Sequence, residues 1–119
     1  MRGVLILVPL LLVLLAACQP KGPSPLGAEI TFDPNPPVLG PNRITIRVDT
    51  KKKLSELKVV GDMTHAGMVP VEAEARRVSP GLWETRDFKF TMRGDWVITL
   101  EAKDSSGKRY QQEVRITVP

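Results

Sequence analysis

The sequence predicts an all-β domain, an immunoglobulin-like antiparallel β-sandwich of about seven strands. From residue 28 onward, apolar and polar residues alternate in short segments, as they do in strands that bury one face. Turn-forming Gly, Pro, Asp and Ser separate these segments at spacings of roughly 10–15 residues, which is typical of a two-sheet sandwich. No stretch shows a helical period. One domain fits the length of 119 residues.

The N-terminal segment, residues 1–17, has the parts of a secretion signal. Arg2 provides the positive start, and an apolar run extends from Val4 to Leu15. That run is shorter than the about 20 residues of a membrane span. The sequence Leu-Ala-Ala-Cys at 15–18 resembles a bacterial lipobox. We therefore expect cleavage before Cys18, a lipid on its thiol, and a domain anchored to the membrane on the extracytoplasmic side of the cell envelope. An ordinary signal peptide followed by an unmodified cysteine is the alternative.

Residues 18–27 are expected to form the lipidated cysteine and a flexible tether, because 19–27 contain three prolines and two glycines. The domain is then expected to occupy residues 28–119. Its clearest strand lies at 43–49, where Ile44, Ile46 and Val48 alternate with charged or hydroxyl residues. The other strands are expected at 28–32, 57–59, 71–76, 82–90, 96–102 and 110–118. The inward positions predict a core of Ile44, Ile46, Val48, Leu57, Val59, Val71, Phe88, Phe90, Ile98, Leu100, Val114 and Ile116.

Composition excludes several functions. Cys18 is the only cysteine, so an internal disulfide and a thiolate metal site are both excluded. There are 17 Lys and Arg against 13 Asp and Glu, and loss of Arg2 with the signal leaves a modest net charge of +3. Nucleic-acid binding is not expected for an exported chain with few aromatics among its basic residues. The densest basic run, the three lysines at 51–53, is expected to be a solvated loop, with contact to anionic headgroups as the alternative.

No enzymatic activity is expected. Acid–base catalysis needs paired titratable groups held in a pocket, whereas this chain has a single histidine and carboxylates such as Glu72 and Glu74 at outward strand positions. Nor does any serine stand in a nucleophile elbow.

The soft, uncharged metal donors of the mature chain are concentrated in two places. Met63, His65 and Met68 lie in one loop, and Met92 lies just before the turn at Gly94. Thioether sulfur and imidazole are ligands that suit Cu(I), and neither has to lose a thiol proton. The alternative is that the methionines fill gaps in the core, with Met92 continuing the inward parity of Phe88 and Phe90, and that His65 is a surface residue.

Four motifs carry a resemblance to a known family. They are Pro37 with Gly-Pro-Asn at 40–42, Met-Thr-His-Ala-Gly-Met at 63–68, Pro-Gly-Leu-Trp at 80–83, and Phe-Thr-Met-Arg-Gly-Asp-Trp at 90–96. The chain resembles the YtkA-like domain family, which is related to the FixH-like proteins linked to maturation of copper-containing terminal oxidases. The resemblance implies a sandwich fold in the envelope and a role in copper handling. Met63, Met68 and Met92 match family methionines, while Ala66 stands where the family often has its middle methionine.

We therefore expect a membrane-anchored lipoprotein that binds Cu(I) through Met63, His65, Met68 and Met92. It would carry or deliver copper, with a terminal oxidase subunit or another envelope protein as recipient. Trp83 or Trp96 is expected to shield the ion, although the parity of Trp96 with Ile98 and Leu100 favours a core position. The alternative function is a structural or interaction module without metal, which presents an edge strand or loop to a membrane complex.

Overall fold

The computed structural model describes residues 22–64 and 67–119, so the signal peptide, Cys18, His65 and Ala66 lie outside the described residues. The expected β-sandwich is confirmed. The strands are β1 (Ser24–Pro25), β2 (Glu29–Asp33), β3 (Gly40–Arg47), β4 (Leu54–Met63), β5 (Val71–Glu74), β6 (Arg76–Ser79), β7 (Leu82–Phe90), β8 (Gly94–Asp104) and β9 (Arg109–Val118). Within residues 22–64 and 67–119, the 3₁₀ turn Thr50–Lys52 is the only helical element.

The strands form two sheets. One has five strands in the order β1-β9-β8-β4-β5, and the other has four in the order β2-β3-β7-β6. All pairings are antiparallel except that of β1 with β9. No helix in the described part of the chain is long and apolar enough to cross a membrane.

The core lies between the two sheets and follows the alternation of the sequence. Nine of the twelve predicted core residues are buried, while Val71, Val114 and Ile116 are only half-buried. Aromatic side chains fill one end of the core: Phe90 packs edge-on against Phe88 and Trp96, with ring centroids 5.2 and 5.1 Å apart. Trp96, whose parity favoured a core position, is fully buried. The buried apolar residues that the pattern missed are Leu26, Leu54, Trp83, Ala102, Tyr110 and Val118.

Two strands differ from the expected set. The segment expected as one strand at 71–76 divides at Ala75, so that β5 joins the five-stranded sheet and β6 the four-stranded sheet. The amide of Ala75 donates to the carbonyl of Leu57 at 2.9 Å and so fixes the crossing point. β4 is longer than expected, because a bulge between Leu54 and Glu56 interrupts the alternation that marks a strand in the sequence.

The folded part also begins earlier than residue 28. Ser24 and Pro25 pair with Tyr110 and Gln111 at the edge of the five-stranded sheet, and Leu26 is completely buried. An edge strand tolerates proline because the missing amide hydrogen would face solvent. The flexible tether expected to extend to residue 27 therefore ends before Ser24.

The strand directions place the connections at two opposite ends of the sandwich. We call one the methionine end; it comprises the connections at 34–39 and 91–93, the described residues 64 and 67–70 of the connection after β4, and Pro119. We call the other the lysine end; it comprises the connections at 48–53, 80–81 and 105–108.

Candidate metal centre

Met63 is the last residue of β4 and points toward the interior of the sandwich. It lies directly opposite Trp96 of β8, so both side chains project from the same face of the sheet. Trp96 is fully buried, whereas Met63 is half-buried and packs against the edge of the core. The thioether of Met63 thus lies where the core meets the surface of the methionine end.

Gly94, the first residue of β8, makes room for that side chain. Its φ is +129°, which L side chains rarely adopt, and a Cβ placed on it would lie 2.9 Å from the Cε methyl of Met63. The amide of Thr64 donates to the carbonyl of Asp95 at 3.3 Å, which joins the end of β4 to the start of β8. Met63 is therefore held against the turn that carries Met92.

Met92 lies in the connection between β7 and β8 and is 51% exposed. The reading in which it continues the core face of Phe88 and Phe90 is wrong, because β7 ends at Phe90 and the alternation ends with it. Its backbone is nevertheless fixed, since its carbonyl accepts a 3.0 Å hydrogen bond from Nε1 of Trp96. Trp96 thus has Met63 as its neighbour across the sheet and binds the backbone of Met92.

Met68 belongs to the connection from β4 to β5 at the same end. It is half-buried and packs against the core, three residues before Val71, which pairs with Gly61. The structure therefore brings all three methionines to the methionine end, with Met63 beside the turn that carries Met92. His65 lies between Met63 and Met68 in the sequence but outside the described residues, so its place in the set stays a prediction.

The two tryptophans differ in position. Trp83 lies near the start of β7, opposite Ile46, and its ring faces the guanidinium of Arg77 at 5.9 Å. It is seven residues from the end of that strand, which corresponds to about 23 Å. Trp83 therefore cannot shield an ion at the methionine end, and that expectation is wrong. Trp96 is a core residue, as its parity indicated, and it underlies the candidate site.

The carboxylates nearest the site are engaged in local hydrogen bonds. Oδ1 of Asp62 accepts from the amide of Met63 at 2.9 Å, and Oδ1 of Asp95 accepts from the hydroxyl of Thr117 at 2.7 Å. Among residues 22–64 and 67–119, no three His, Cys, Asp or Glu side chains are grouped as a hard-metal or zinc site would require. The donors available at this end are thioethers, which favour a soft ion such as Cu(I).

The methionine end exposes several apolar side chains, which we call the apolar rim. Five large apolar side chains are exposed in the described chain, and four of them lie at the methionine end: Val38, Leu39, Val69 and Met92. Asn42, only 2% exposed, holds the first two in place, because its side chain bonds the amide and carbonyl of Val38 and the carbonyl of Gly40 at 2.7–3.0 Å.

Sequence reasoning did not assign roles to Gly94, to the indole N–H of Trp96 or to this rim. The spacing Met-x-Gly-x-Trp at 92–96 was the available signal for the first two. It places a donor, a turn glycine and an anchoring indole within five residues.

Comparisons with known proteins agree with the fold. The sequence profile of the YtkA-like family matches residues 21–101. Comparison with curated proteins gives no match. Among solved structures, the chain is similar to the PmoD soluble domain from Methylocystis sp. (Rockwell), with a TM-score of 0.55 and 13% identity over 77% of this chain and 90% of that one. At that identity the likeness concerns the fold alone.

Proposed function

The chain belongs to the YtkA-like family, and we propose from this membership and its methionine end that it is a lipid-anchored envelope protein that binds Cu(I) and hands it on. Met63, His65, Met68 and Met92 would supply the ligands. A terminal oxidase subunit or another envelope protein would receive the ion.

The observation that carries this proposal is the juxtaposition of Met63 and Met92 around Trp96 and Gly94. Methionines that only filled gaps in the core would have both thioethers buried. Instead, Met92 is half-exposed and Met63 is half-buried at the edge of the core. Thioether donors bind Cu(I) without losing a proton, so such a site keeps its ligands in an oxidising envelope where free thiols do not persist.

The position of the set also suits transfer. Its side chains come from two connections and from a strand terminus, so a partner can approach them from outside. The buried indole of Trp96 donates to the carbonyl of Met92 and so fixes the turn that carries Met92. This bond reduces the entropy that the ligands lose when the ion binds.

The test is a competition titration against a chromogenic Cu(I) chelator under reducing conditions. It uses chain 18–119 with C18S, because an unmodified thiol would itself bind Cu(I). M63L, M92L, M68L and H65A are compared one at a time; leucine preserves apolar volume while removing sulfur. We expect M63L and M92L each to weaken Cu(I) binding by about tenfold or more, which corresponds to about 1.4 kcal/mol. Unchanged affinity in all four variants would overturn the proposal.

The second candidate function is an interaction module without metal, and the apolar rim favours it. Exposed apolar residues grouped on one surface are typical of protein contacts. The same titration separates the two functions, because a metal-free module has no measurable Cu(I) affinity even in the unsubstituted chain.

A further inference from the structure

We propose that the lysine end is a membrane-facing surface that contacts anionic lipid headgroups and thereby holds the methionine end away from the bilayer. This inference rests on the part of the proposed function that anchors the chain through a lipid on Cys18.

The course of β1 determines where the anchor is attached. Ser24 pairs with Tyr110 in a parallel register, and β9 runs from the lysine end toward the methionine end. Pro23 borders a groove together with Lys103, Arg109 and Tyr110. The N-terminal segment therefore enters the sandwich at the lysine end.

The tether is too short to let that end move far from the membrane. Ser24 is six positions after Cys18, and a fully extended chain spans at most about 3.5 Å per residue, or about 20 Å in all. The ten residues of β9 extend about 34 Å from the lysine end to the methionine end, away from the tether. The lysine end thus remains near the headgroups while the methionine end lies beyond.

The lysine end carries basic side chains without acidic partners. Within the part of the chain that the structure describes, no carboxylate lies within 4.0 Å of the charged nitrogens of Lys51, Lys52, Lys53, Lys108 or Arg109. The amide of Ser105 donates to the carbonyl of Lys53 at 3.2 Å, which joins the two connections that bear most of these residues. The Nζ atoms of Lys52 and Lys108 lie 5.7 and 5.3 Å from the centre of the Tyr110 ring. The cations thus form one surface beside the entry of the tether.

Acidic groups at this end are engaged in local bonds. Asp49 accepts from the amide of Lys51 at 3.0 Å. Asp104 accepts from Ser106, from the amide of Lys108 and from the hydroxyl of Tyr110. Glu56 faces Lys103 at 3.8 Å. The outward surface of the lysine end is therefore dominated by positive charge. A short lipid tether would keep this surface next to the bilayer, whose anionic headgroups attract it.

Vesicle binding tests the inference. Chain 18–119 carrying C18S is sedimented with vesicles of 70% phosphatidylcholine and 30% phosphatidylserine, or of phosphatidylcholine alone. We expect binding to the anionic vesicles only, weakened when salt is raised from 0.1 to 0.5 M. K51Q/K52Q/K53Q should reduce the partition coefficient by about tenfold or more. The control R43Q/K89Q/R115Q removes the same charge from exposed positions elsewhere and should reduce it by much less. Equal losses in the two variants, or equal binding to both vesicle types, would overturn the proposal.

Orientation is tested on the lipidated protein in the same vesicles. Amine labelling followed by mass spectrometry should show Lys51, Lys52, Lys53 and Lys108 protected on anionic vesicles relative to neutral ones, with Lys89 labelled equally on both. Protection of Lys89 to the same degree would refute the assigned orientation. The Cu(I) affinity of K51Q/K52Q/K53Q should equal that of the unsubstituted chain, so failure of this proposal and failure of the copper proposal are read from different measurements.

Discussion

The two ends of the sandwich are built from the same kinds of connection and differ in chemistry. The methionine end displays thioethers and aliphatic side chains above an aromatic core, and its carboxylates bond to neighbouring backbone or hydroxyl groups. The lysine end displays amines around a tyrosine, beside the point where the tether enters.

In the proposed arrangement, this difference separates two tasks within one small β-sandwich. Strands that run the full length of the domain would carry one surface toward the membrane and the other away from it. The sheets between them supply rigidity, since β8 pairs with both β4 and β9 along nearly its whole length. Substitutions at one end should therefore leave the other end unchanged, which makes the two ends natural controls for each other.

The largest expected effect is loss of Cu(I) binding when every sulfur is removed. M63L/M68L/M92L should lower Cu(I) affinity by about 100-fold or more, because two or more lost ligands at about 1.4 kcal/mol each add to about 3 kcal/mol. The chelator competition in chain 18–119 with C18S measures it. K51Q/K52Q/K53Q is the control from the opposite end and should change affinity by less than about twofold. A comparable loss in both variants would mean that general charge or stability, not thioether ligation, governs uptake.

Leu26 and Leu39 offer a matched pair for stability. Leu26 is 0% exposed and joins the tether to the core, whereas Leu39 is 39% exposed on the apolar rim. L26A should lower the free energy of unfolding by about 2–4 kcal/mol through lost burial and a cavity. L39A should change it by less than about 1 kcal/mol. Urea unfolding of the two variants checks this, and a small effect of L26A would return the boundary of the domain to residue 28.

Alanine substitutions at Gly94 and Gly107 allow the turns at the two ends to be compared. Both have positive φ, +129° and +91°, but only at Gly94 would a Cβ meet a neighbour, the Cε of Met63. G107A should cost about 1 kcal/mol for backbone strain alone. G94A should cost about as much, because the Cε methyl ends a flexible side chain and can move aside, but G94A alone should weaken Cu(I) binding, because Met63 must move. Thermal unfolding and the chelator titration measure the two effects; unchanged Cu(I) binding in G94A would show that Met63 does not depend on the glycine.

The sequence allowed the fold to be predicted because alternation is a property of single strands. Residues 43–49 show it without interruption, and the core that they predict is buried. Alternation fails where the chain bulges or changes sheets, as between Leu54 and Glu56 and at Ala75. It also could not show Leu26 in the core, because the prolines around it are typical of a linker and only pairing with β9 gives them a strand position.

The candidate site was only partly accessible from the sequence. Donor chemistry singled out the methionines, but their spacing along the chain does not reveal which connections share an end. The structure places Met63 and Met92 at the same end, through the pairing of Met63 with Trp96 and the hydrogen bond from the Trp96 indole to the carbonyl of Met92. It also excludes Trp83 as a shield for the ion, because Trp83 lies at the end of β7 that is far from Met92.

The smallest expected effect is the loss of stability at low pH through Asp104, which lies at the lysine end. The hydrogen bond from the Ser106 hydroxyl, followed by those from the backbone amides of Lys108 and Ser106 and from the Tyr110 hydroxyl, lowers the pKa of Asp104 below its ordinary value of 3.8. Because the folded state favours the ionised carboxylate, its contribution is present above pH 4 and is lost as the pH falls through the lowered pKa.

The variant D104N should therefore have a lower Tm than the unsubstituted chain at pH 7, and the difference should shrink as the pH falls below 3.8. Burial, and then the bond to Asp104, raise the pKa of Tyr110, so removal of the carboxylate should move the phenol titration to lower pH. D87N, which alters an exposed carboxylate 4.0 Å from Lys89, is the control and should leave the Tyr110 titration unchanged. A Tm difference for D104N that does not shrink at any pH below 3.8 would mean that the turn depends on the shape of the Asp104 side chain and not on its charge.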